Sequence, residues 1–296
     1  MATKKRRNFN ATRALRALTR EPYDTDLSDE EWKVIEPFFS KEKREGRGRP
    51  RGCPIREVVN AILYVVRAGC PWRLLPHDLP EWKYVHQQFV QWCDNGTWAN
   101  INAALCRTLR TEAGRDPEPS IGIIDSQSVK STEVKGVRGF DGGKKVKGAK
   151  RHIVVDTLGL LIAVVVHSAA IHDNQGAFLV LAPMFPADFP RMVKIIADGG
   201  YGVHGTVLAD WLFGAKGWTL EIVKRIADVG FKVLPQRWKV ERTFGWLGRY
   251  RRLARHYEQR SATAEGIIYL ASIRLMLRRL TMGYTDFKDG SPIVAA

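Results

Sequence analysis

Three acidic residues stand where their carboxylates could hold metal ions. Asp125 ends the apolar run 121–124, and Asp198 ends a second apolar run, 193–197. Glu241 lies within a segment of helical character. Carboxylate oxygens are the hard ligands that Mg²⁺ prefers, and a pair of such ions stabilises the attacking and leaving oxygens of a phosphodiester. The three acids therefore predict a site for two-metal chemistry on a phosphodiester.

Other acidic residues could compete for these roles, but their positions favour simpler interpretations. Asp156 precedes a turn, Asp173 stands where a helix N-cap is expected, and Asp210 lies among helical residues that we expect to be solvated. Glu221 and Glu258 remain alternative third acids, should the third member of the triad point elsewhere.

The charge of the chain indicates a polyanionic partner. Lys and Arg number 47 against 31 Asp and Glu, which gives a net charge of +16 over 296 residues. A surface this basic favours salt-sensitive binding of nucleic acid, although repulsion that merely keeps the protein soluble is the alternative. No apolar run is long enough to span a bilayer, so no membrane contact is expected. The Arg-rich, acid-poor first 20 residues would also fit an organelle transit peptide.

Cysteines and histidines do not indicate a zinc site. The cysteines form no Cys-x-x-Cys pair, and we expect them to be reduced and buried in helices: Cys53, Cys70, Cys93 and Cys106. His152 and His167 flank a predicted hairpin and are interpreted as structural, because two-metal mechanisms need no histidine base.

We predict four parts along the chain: a basic tail at 1–24, a helical DNA-binding domain at 25–115, an α/β catalytic domain at 116–285 and a tail at 286–296. In the helical domain, the pattern Ser28-Asp29-Glu30-Glu31 is a capping box that begins the first helix. Further helices are expected at 54–66, 82–92 and 97–111. Short helices joined by Pro- and Gly-containing turns are typical of a helix-turn-helix-like module, and a helical cap without a DNA role is the alternative.

The catalytic domain is predicted from a change to short apolar strands. Strands are expected at 121–124, 152–156, 160–167, 193–197, 220–223 and 231–234, with helices at 174–185, 203–213, 236–247 and 263–280. The first three strands should pair as an antiparallel meander and the later ones should cross over in parallel. This order predicts an α/β fold with a ribonuclease H-like mixed sheet flanked by helices. Ligand chemistry gathers at strand carboxyl ends in such sheets, where we expect Asp125 and Asp198.

Three basic segments could contact DNA phosphates. The Gly- and Lys-rich segment 130–151 is interpreted as a mobile clamp beside Asp125, and a cluster of arginines follows Glu241. The segment 46–52 resembles the core of an AT-hook, which inserts arginines into a minor groove, and a solvated linker is the alternative. The candidate DNA-binding residues are Arg47, Arg49, Lys130, Lys144, Lys145, Lys147, Lys150, Arg237, Arg249, Arg251 and Arg252.

Two glycines, Gly245 and Gly248, lie on the helical face that carries Glu241. Each glycine costs a helix roughly 1 kcal/mol relative to alanine, so their presence needs a reason. Close approach of a DNA backbone is one reason; tight packing on the sheet or termination of the helix near Gly248 is the other. The opposite face, with Val240, Phe244 and Leu247, is expected in the core.

Four sequence blocks resemble DDE transposases of the IS5 group of bacterial insertion sequences. They are IIDSQSVK at 123–130, GAKRHIVVDTLGL at 148–160, ADGGY at 197–201 and VERTFGWL at 240–247. The stretch 27–106 is similar to the helical N-terminal domain often attached to such enzymes. The wider family has the signature Tyr-x2-Arg-x3-Glu-x6-Lys, of which Arg237 and Glu241 fit. Leu234 and Gly248 replace its Tyr and Lys, and Arg249 or Arg251 could supply the terminal basic contact.

The resemblance implies a DNA transposase in which Asp125, Asp198 and Glu241 are catalytic ligands of two Mg²⁺ ions, for which Mn²⁺ can substitute. It implies binding of double-stranded DNA at terminal inverted repeats, cleavage that frees 3′-hydroxyls, and strand transfer into target DNA. Joining two ends implies a homodimer or higher oligomer on DNA, in the bacterial cytoplasm and associated with the nucleoid. The alternatives are a nuclease of the same fold that cuts without joining, and a domesticated DNA-binding protein with a dead site.

Overall fold

A computed structural model describes residues 20–40, 53–133, 135–203, 205–223 and 238–282. Its α-helices are α1 (Asp29–Ile35), α2 (Pro37–Ser40), α3 (Ile55–Ala68), α4 (Trp82–Asp94), α5 (Thr97–Glu112), α6 (Asp173–Leu181), α7 (Val207–Lys216), α8 (Trp238–Leu247) and α9 (Ser261–Met282). Its strands are β1 (Ile121–Lys130), β2 (Gly139–Asp141), β3 (Val146–Val155), β4 (Leu161–Ser168), β5 (Lys194–Asp198) and β6 (Thr219–Val223). Single 3₁₀ turns occupy Trp72–Leu74, Gly199–Gly202 and Arg251–Leu253.

The helices predicted in the first part of the chain are confirmed to within a few residues. The capping box at the start of α1 forms as expected: the Ser28 hydroxyl accepts from the Glu31 amide, and the Glu31 carboxylate accepts from the Ser28 amide. Helix α3 ends at Gly69, whose φ of 72° is a left-handed conformation that glycine adopts without cost.

The strands form one mixed sheet with the predicted ribonuclease H-like order. The pairs β1–β3 and β3–β4 are antiparallel, whereas β1–β5 and β5–β6 are parallel. The short β2 pairs with residues 146–148 at the beginning of β3. It lies on the same edge of β3 as β4, which pairs with residues 149–155. With β2 set aside, the spatial order is β4, β3, β1, β5, β6. The antiparallel meander and the parallel crossovers are therefore both confirmed.

Strand β1 is longer than the sequence predicted, and this changes the position of Asp125. We expected the strand to end at Ile124, but it continues to Lys130 and pairs with β3 over its whole second half. Asp125 therefore lies in the middle of a strand, whereas Asp198 is the last residue of β5, as predicted. The continuation was missed because its polar residues read as a loop.

The predicted mobile clamp at 130–151 is wrong for much of its length. Residues 139–141 form β2 and residues 146–151 belong to β3, so the basic segment is largely a hairpin fixed by sheet hydrogen bonds. Helix α7 begins at Val207, later than expected, and Gly205, with a left-handed φ of 72°, stands just before it. The predicted strand 231–234 and both chain tails, 1–19 and 283–296, lie outside the described residues.

Hydrophobic residues pack on both faces of the sheet. Side chains from α6 and α7 cover one face, where they contact Ile124, Val154 and Ile195. The other face carries Ile123 and Ile153 and belongs to a larger cluster. That cluster also contains apolar side chains of α3, α4, α5, α8 and α9. The N-terminal helices thus share a continuous core with the sheet and with the C-terminal helix.

Candidate active site

Asp125 and Asp198 lie at matching positions on neighbouring parallel strands. The register of β1 with β5 pairs Ile123 with Ile196, and each aspartate follows two residues later. Because side chains alternate along a strand, both carboxylates belong to the face that carries Ile123 and Ile196. Both residues are partly buried. Two carboxylates in this arrangement have the donor chemistry that suits a divalent cation.

Local hydrogen bonds orient the two carboxylates. Asp125 Oδ1 accepts from the Ser126 amide at 2.7 Å, and Asp198 Oδ1 accepts from the Gly200 amide at 2.9 Å. The second contact caps the 3₁₀ turn that follows β5, which fixes the aspartate at the strand end. Each carboxylate is therefore held by the backbone of its own segment.

Tyr201 lies within electrostatic range of three carboxylates. Burial raises the pKa of its hydroxyl well above the usual value, and the negative charges of Asp125, Asp173 and Asp198 raise it further. The hydroxyl is buried and has no partner of hydrogen-bond geometry among the described residues, although Ser126 lies beside it. The sequence analysis missed Tyr201, even though it ends the ADGGY block.

Glu241 lies on the helix that covers the same face of the sheet. Helix α8 buries Val240, Phe244 and Leu247 in the core, as predicted, and packs against β1 and β3. Glu241 itself is exposed. Within the described part of the chain, no three Asp, Glu, His or Cys side chains converge closely enough to hold a metal ion. The structure thus brings the two aspartates together and leaves Glu241 on the adjacent helix.

The glycines of α8 have open space in front of them. A Cβ at Gly245 would meet no described atom within 4 Å, so tight packing against the sheet does not explain this residue. Gly248 directly follows the last helical residue, which agrees with a role in termination. For Gly245, close approach of a partner from solvent is the explanation that remains of those we considered.

A buried network of ions and hydroxyls follows Asp125 in the chain, on the opposite face of the sheet. The Lys150 ammonium is 2.7 Å from Asp173 Oδ1 and 3.5 Å from Asp141 Oδ2. The Ser126 hydroxyl donates to Asp173 at 2.9 Å, and the Ser128 hydroxyl donates to Asp141. Burial alone would raise the pKa of Asp141, but the Ser128 and backbone hydrogen bonds together with nearby lysine charges lower it to about 2. Asp141 is therefore ionised at neutral pH.

Two expectations about this network are wrong. Asp173 is not the N-cap of α6, because His172 holds that position and Asp173 instead binds Ser126 and Lys150. Lys150 was expected on the DNA-binding surface, but its side chain is only 4% exposed and is already bound to carboxylates. Sequence reasoning missed this network because its acids are contributed by separate segments that only the sheet brings together.

The other predicted DNA-binding residues fall into three groups. Exposed residues are Lys130, Lys144, Lys145, Lys147, Arg249 and Arg251. Arg252 is buried, where its guanidinium binds Glu258 at 2.7 Å and the carbonyl of Cys70 at 3.2 Å, so it does not belong to an exposed surface. Arg47, Arg49 and Arg237 lie outside the described residues.

The competing acids have structural partners. Asp156 Oδ1 accepts from the amides of Leu158 and Leu160, which confirms its role in a turn, and its other oxygen binds the buried Arg110. The alternative third acids also form ion pairs, Glu221 with Lys194 and Glu258 with Arg252. Asp210 is exposed on α7.

The two hairpin histidines are buried as structural residues, whereas the expectation that the cysteines are buried in helices is only partly right, because Cys70, Cys93 and Cys106 are half-buried. His152 and His167 lie ring against ring, with 2.7 Å between His152 Nδ1 and His167 Nε2. Burial lowers the pKa of His152 to about 3, so the pair stays neutral at physiological pH. The four cysteines form no disulfide, although Cys53 and Cys70 lie outside the helices. Among the described helices, none has the length and apolar character needed to cross a membrane.

Comparison with known proteins gives matches over both halves of the chain. Residues 27–102 match the family described as "Putative transposase of IS4/5 family", and residues 116–276 match the family described as "Transposase DDE domain". Proteins of the latter family generally use divalent metal ions.

Curated relatives match shorter stretches. The "Putative transposase for insertion sequence element IS402" of Burkholderia cepacia is 32% identical over 124 residues, which cover 38% of this chain and 56% of the relative. The "Uncharacterized protein y4sN" of Sinorhizobium fredii is 30% identical over 86 residues, which cover 29% of this chain and 67% of the relative. The chain therefore spans little more than half the length of the IS402 relative. Because the DDE domain match alone covers more than half of the 296 residues, this chain belongs to the DDE transposase family.

Proposed function

We propose that this protein is a DNA transposase that binds the terminal inverted repeats of an insertion sequence, cleaves a strand at each end and transfers it to target DNA. The observation that supports this most directly is the register of β1 with β5, which brings Asp125 beside Asp198 in a chain of the DDE family. The similarity to a relative named as a transposase for IS402 supports insertion-sequence ends as the substrate.

In this proposal Asp125, Asp198 and Glu241 hold divalent cations, Mg²⁺ or its substitute Mn²⁺. When bound, such cations supply positive charge for the attacking and leaving oxygens of the phosphodiester. Because Glu241 is exposed on α8, we infer that its carboxylate completes the site when DNA is engaged. The exposed lysines and arginines around the site bind phosphates and set the position of the duplex.

The reaction we propose has two in-line displacements. In the first, a water oxygen attacks the phosphorus at the element boundary and the bond to the 3′-oxygen breaks, which leaves a 3′-hydroxyl and a 5′-phosphate. In the second, the freed 3′-hydroxyl oxygen attacks a phosphorus of target DNA and displaces its 3′-oxygen. Because two ends must be joined to one target, the active form is a homodimer or higher oligomer on DNA, in the cytoplasm at the nucleoid.

The test uses the full chain with Mg²⁺, duplexes that carry the DNA ends flanking its gene, and a target plasmid. We expect nicks at the element boundaries and products in which the ends are joined to the plasmid. A duplex with a shuffled end sequence serves as the control and should stay intact. Cutting without joined products would favour a nuclease of the same fold. Binding that is independent of metal, with no cleavage at all, would favour a DNA-binding protein without activity.

A further inference from the structure

An arginine is buried on the face of the sheet that carries the Asp125 carboxylate. Arg151 of β3 pairs with Gln127 of β1, which lies two residues after Asp125, so alternation along the strands puts these three side chains on one face. The Arg151 residue is only 4% exposed. Burial lowers the pKa of its guanidinium to about 10, so the group keeps its positive charge at neutral pH.

The partners of this buried charge are carbonyl groups. Among the described residues, no carboxylate forms an ion pair with Arg151, and its guanidinium donates to the carbonyl oxygens of Leu253 at 2.9 Å and of Arg255 at 3.4 Å. Leu253 itself packs in the hydrophobic cluster on the same face of the sheet. Two carbonyl dipoles compensate a buried cation less completely than an anion would. Arg151 is therefore better explained by what it holds in place than by a gain in stability.

The two carbonyls belong to a segment, residues 249–256, that closely follows helix α8 and contains a single 3₁₀ turn. The backbone of this segment is fixed near both of its ends. The Arg249 carbonyl accepts from the Arg67 guanidinium of α3 at 2.7 Å, and the His256 amide donates to the carbonyl of the last residue of β1 at 2.9 Å. Arg151 supplies contacts between these two anchors, and it thereby ties the segment to β3.

The 249–256 segment presents arginines to solvent from this fixed backbone. Arg249, Arg251 and Arg255 are exposed, and the segment contains no acidic residue. A guanidinium group suits phosphate oxygens because it can donate two parallel hydrogen bonds. Groups that are already in position lose less conformational freedom when they bind. The segment therefore has the charge and the rigidity of a preformed surface for a phosphate backbone.

We propose that Arg151 is a positioning residue, which holds the 249–256 segment on the Asp125 side of the sheet so that the exposed arginines of the segment bind DNA phosphates. Arg151 does not contact DNA itself, because its side chain is enclosed. The inference rests on the proposed function, since it takes DNA as the partner. It adds that phosphate binding by this segment depends on a buried guanidinium as well as on the charges at the surface.

The experiment measures how the affinity for an end duplex depends on salt, because the slope of log K against log salt concentration falls by about 0.9 for each phosphate contact that is lost. Fluorescence anisotropy reports binding, with Ca²⁺ in place of Mg²⁺ and full-length proteins. Arg151→Lys keeps the charge but cannot bond both carbonyls in the same way. We expect its affinity to fall by about tenfold and its salt slope to fall by about 1–2.

A second background separates positioning from other effects of the substitution. In this background the exposed arginines are neutralised together, by Arg249→Gln, Arg251→Gln and Arg255→Gln, and binding is measured at low salt. Adding Arg151→Lys there should change neither the affinity nor the slope, because the groups that it positions are gone. An equal loss in both backgrounds, or wild-type affinity for Arg151→Lys alone, would refute the role of Arg151.

Arg110→Lys is the matched control for the burial of a lysine. Arg110 is also buried, but it lies on α5 and has a carboxylate partner, Asp156. This variant should lower the free energy of unfolding and keep the wild-type affinity and salt slope. If Arg151→Lys does not fold, Arg151→Met takes its place, because it buries no charge. It should show the same loss of affinity, again confined to the background with intact arginines.

The failure of this inference can be distinguished from the failure of the proposed function. Cleavage and joining of natural ends by the wild type in Mg²⁺ would uphold the transposase proposal even if the Arg151 variants bound DNA like the wild type. A wild type that neither binds nor cuts the ends would overturn both.

Discussion

At the scale of single residues, the site depends on how carboxylates are held before any substrate arrives. Asp125 and Asp198 each receive a hydrogen bond from the backbone of their own segment, which restricts their rotamers. The neighbouring Asp173 is occupied by Lys150 and Ser126. The backbone thus orients the two matching aspartates, while Asp173 is engaged by other partners on the opposite face of the sheet.

This arrangement makes Asp198→Asn an informative substitution. The amide oxygen of asparagine can still accept from the Gly200 amide, so we expect the turn after β5 and the fold to be retained. The loss of a charged ligand should reduce cleavage of end duplexes to background, while DNA affinity stays within a few-fold of wild type. Cleavage is measured with radiolabelled ends, and affinity by fluorescence anisotropy.

Asp210→Asn is the matched control, because Asp210 is an exposed acid on α7, which packs on the face of the sheet opposite to Asp198. It should cleave at the wild-type rate. Wild-type turnover by Asp198→Asn would remove Asp198 from the proposed catalytic site.

At the scale of elements, helix α8 combines a buried face with a bare one. Val240, Phe244 and Leu247 anchor the helix on the sheet, and Gly245 leaves open space on the side where Glu241 is exposed. A glycine inside a helix lowers the stability of that helix, and no described residue packs so closely on Gly245 that a larger side chain would be excluded. In the function that we propose, this bare face admits a duplex backbone close to Glu241.

Gly245→Ala should therefore separate stability from function. We expect the free energy of unfolding to rise by about 0.5–1 kcal/mol, because alanine favours the helix and its Cβ meets no described atom. End cleavage should fall, since the added methyl group stands where DNA approaches. Both quantities are measured on the same preparation, by urea denaturation and by the cleavage assay.

Gly214→Ala on α7 provides the comparison. Its Cβ would also meet open space, so it should give a similar gain in stability. Cleavage should be unchanged, because α7 carries no proposed DNA contact. If Gly245→Ala were as active as Gly214→Ala, close approach of DNA to this face would be excluded.

At the scale of the whole molecule, one core joins the N-terminal helices to helix α9. Helix α9 packs against α5 and β4, and its Arg274 forms a buried ion pair with Glu31 on α1. Arg274 also donates to the carbonyl of Asp26 at 3.1 Å. An N-terminal helix also contacts the segment that follows α8, because the Arg67 guanidinium of α3 donates to the Arg249 carbonyl at 2.7 Å. The N-terminal helices thus support the elements that carry the candidate site.

Arg274→Ala should destabilise the whole protein. Removal of the guanidinium leaves the Glu31 carboxylate buried without its counter-charge, which costs about 3–5 kcal/mol. Urea denaturation followed by tryptophan fluorescence reports the change in the free energy of unfolding.

Arg260→Ala removes an exposed pair with Asp94 and should leave the free energy of unfolding almost unchanged, because solvent screens that pair. Equal losses for the two variants would show that the buried pair does not join the N-terminal helices to α9 in the way we describe.

Local patterns in the sequence were sufficient for much of the fold and part of the site. Apolar periodicity and the capping box predicted the helices, because these signals depend on residues a few positions apart. Asp198 was predicted correctly at a strand end, since an apolar run stops there and glycines follow. The antiparallel and parallel order of the strands followed from the order of elements along the chain.

Only the tertiary structure decided how the polar half of β1 is used. Ser126 and Ser128 read as loop residues in the sequence, yet they pair with His152 and Lys150 on β3 and are satisfied by Asp173 and Asp141. Partners so distant in the chain leave no periodic signal, because their meeting depends on sheet register and on burial. The amino-acid sequence by itself determined which acids could do chemistry; the sheet, through strand register, decided that two of them lie at matching positions on neighbouring strands.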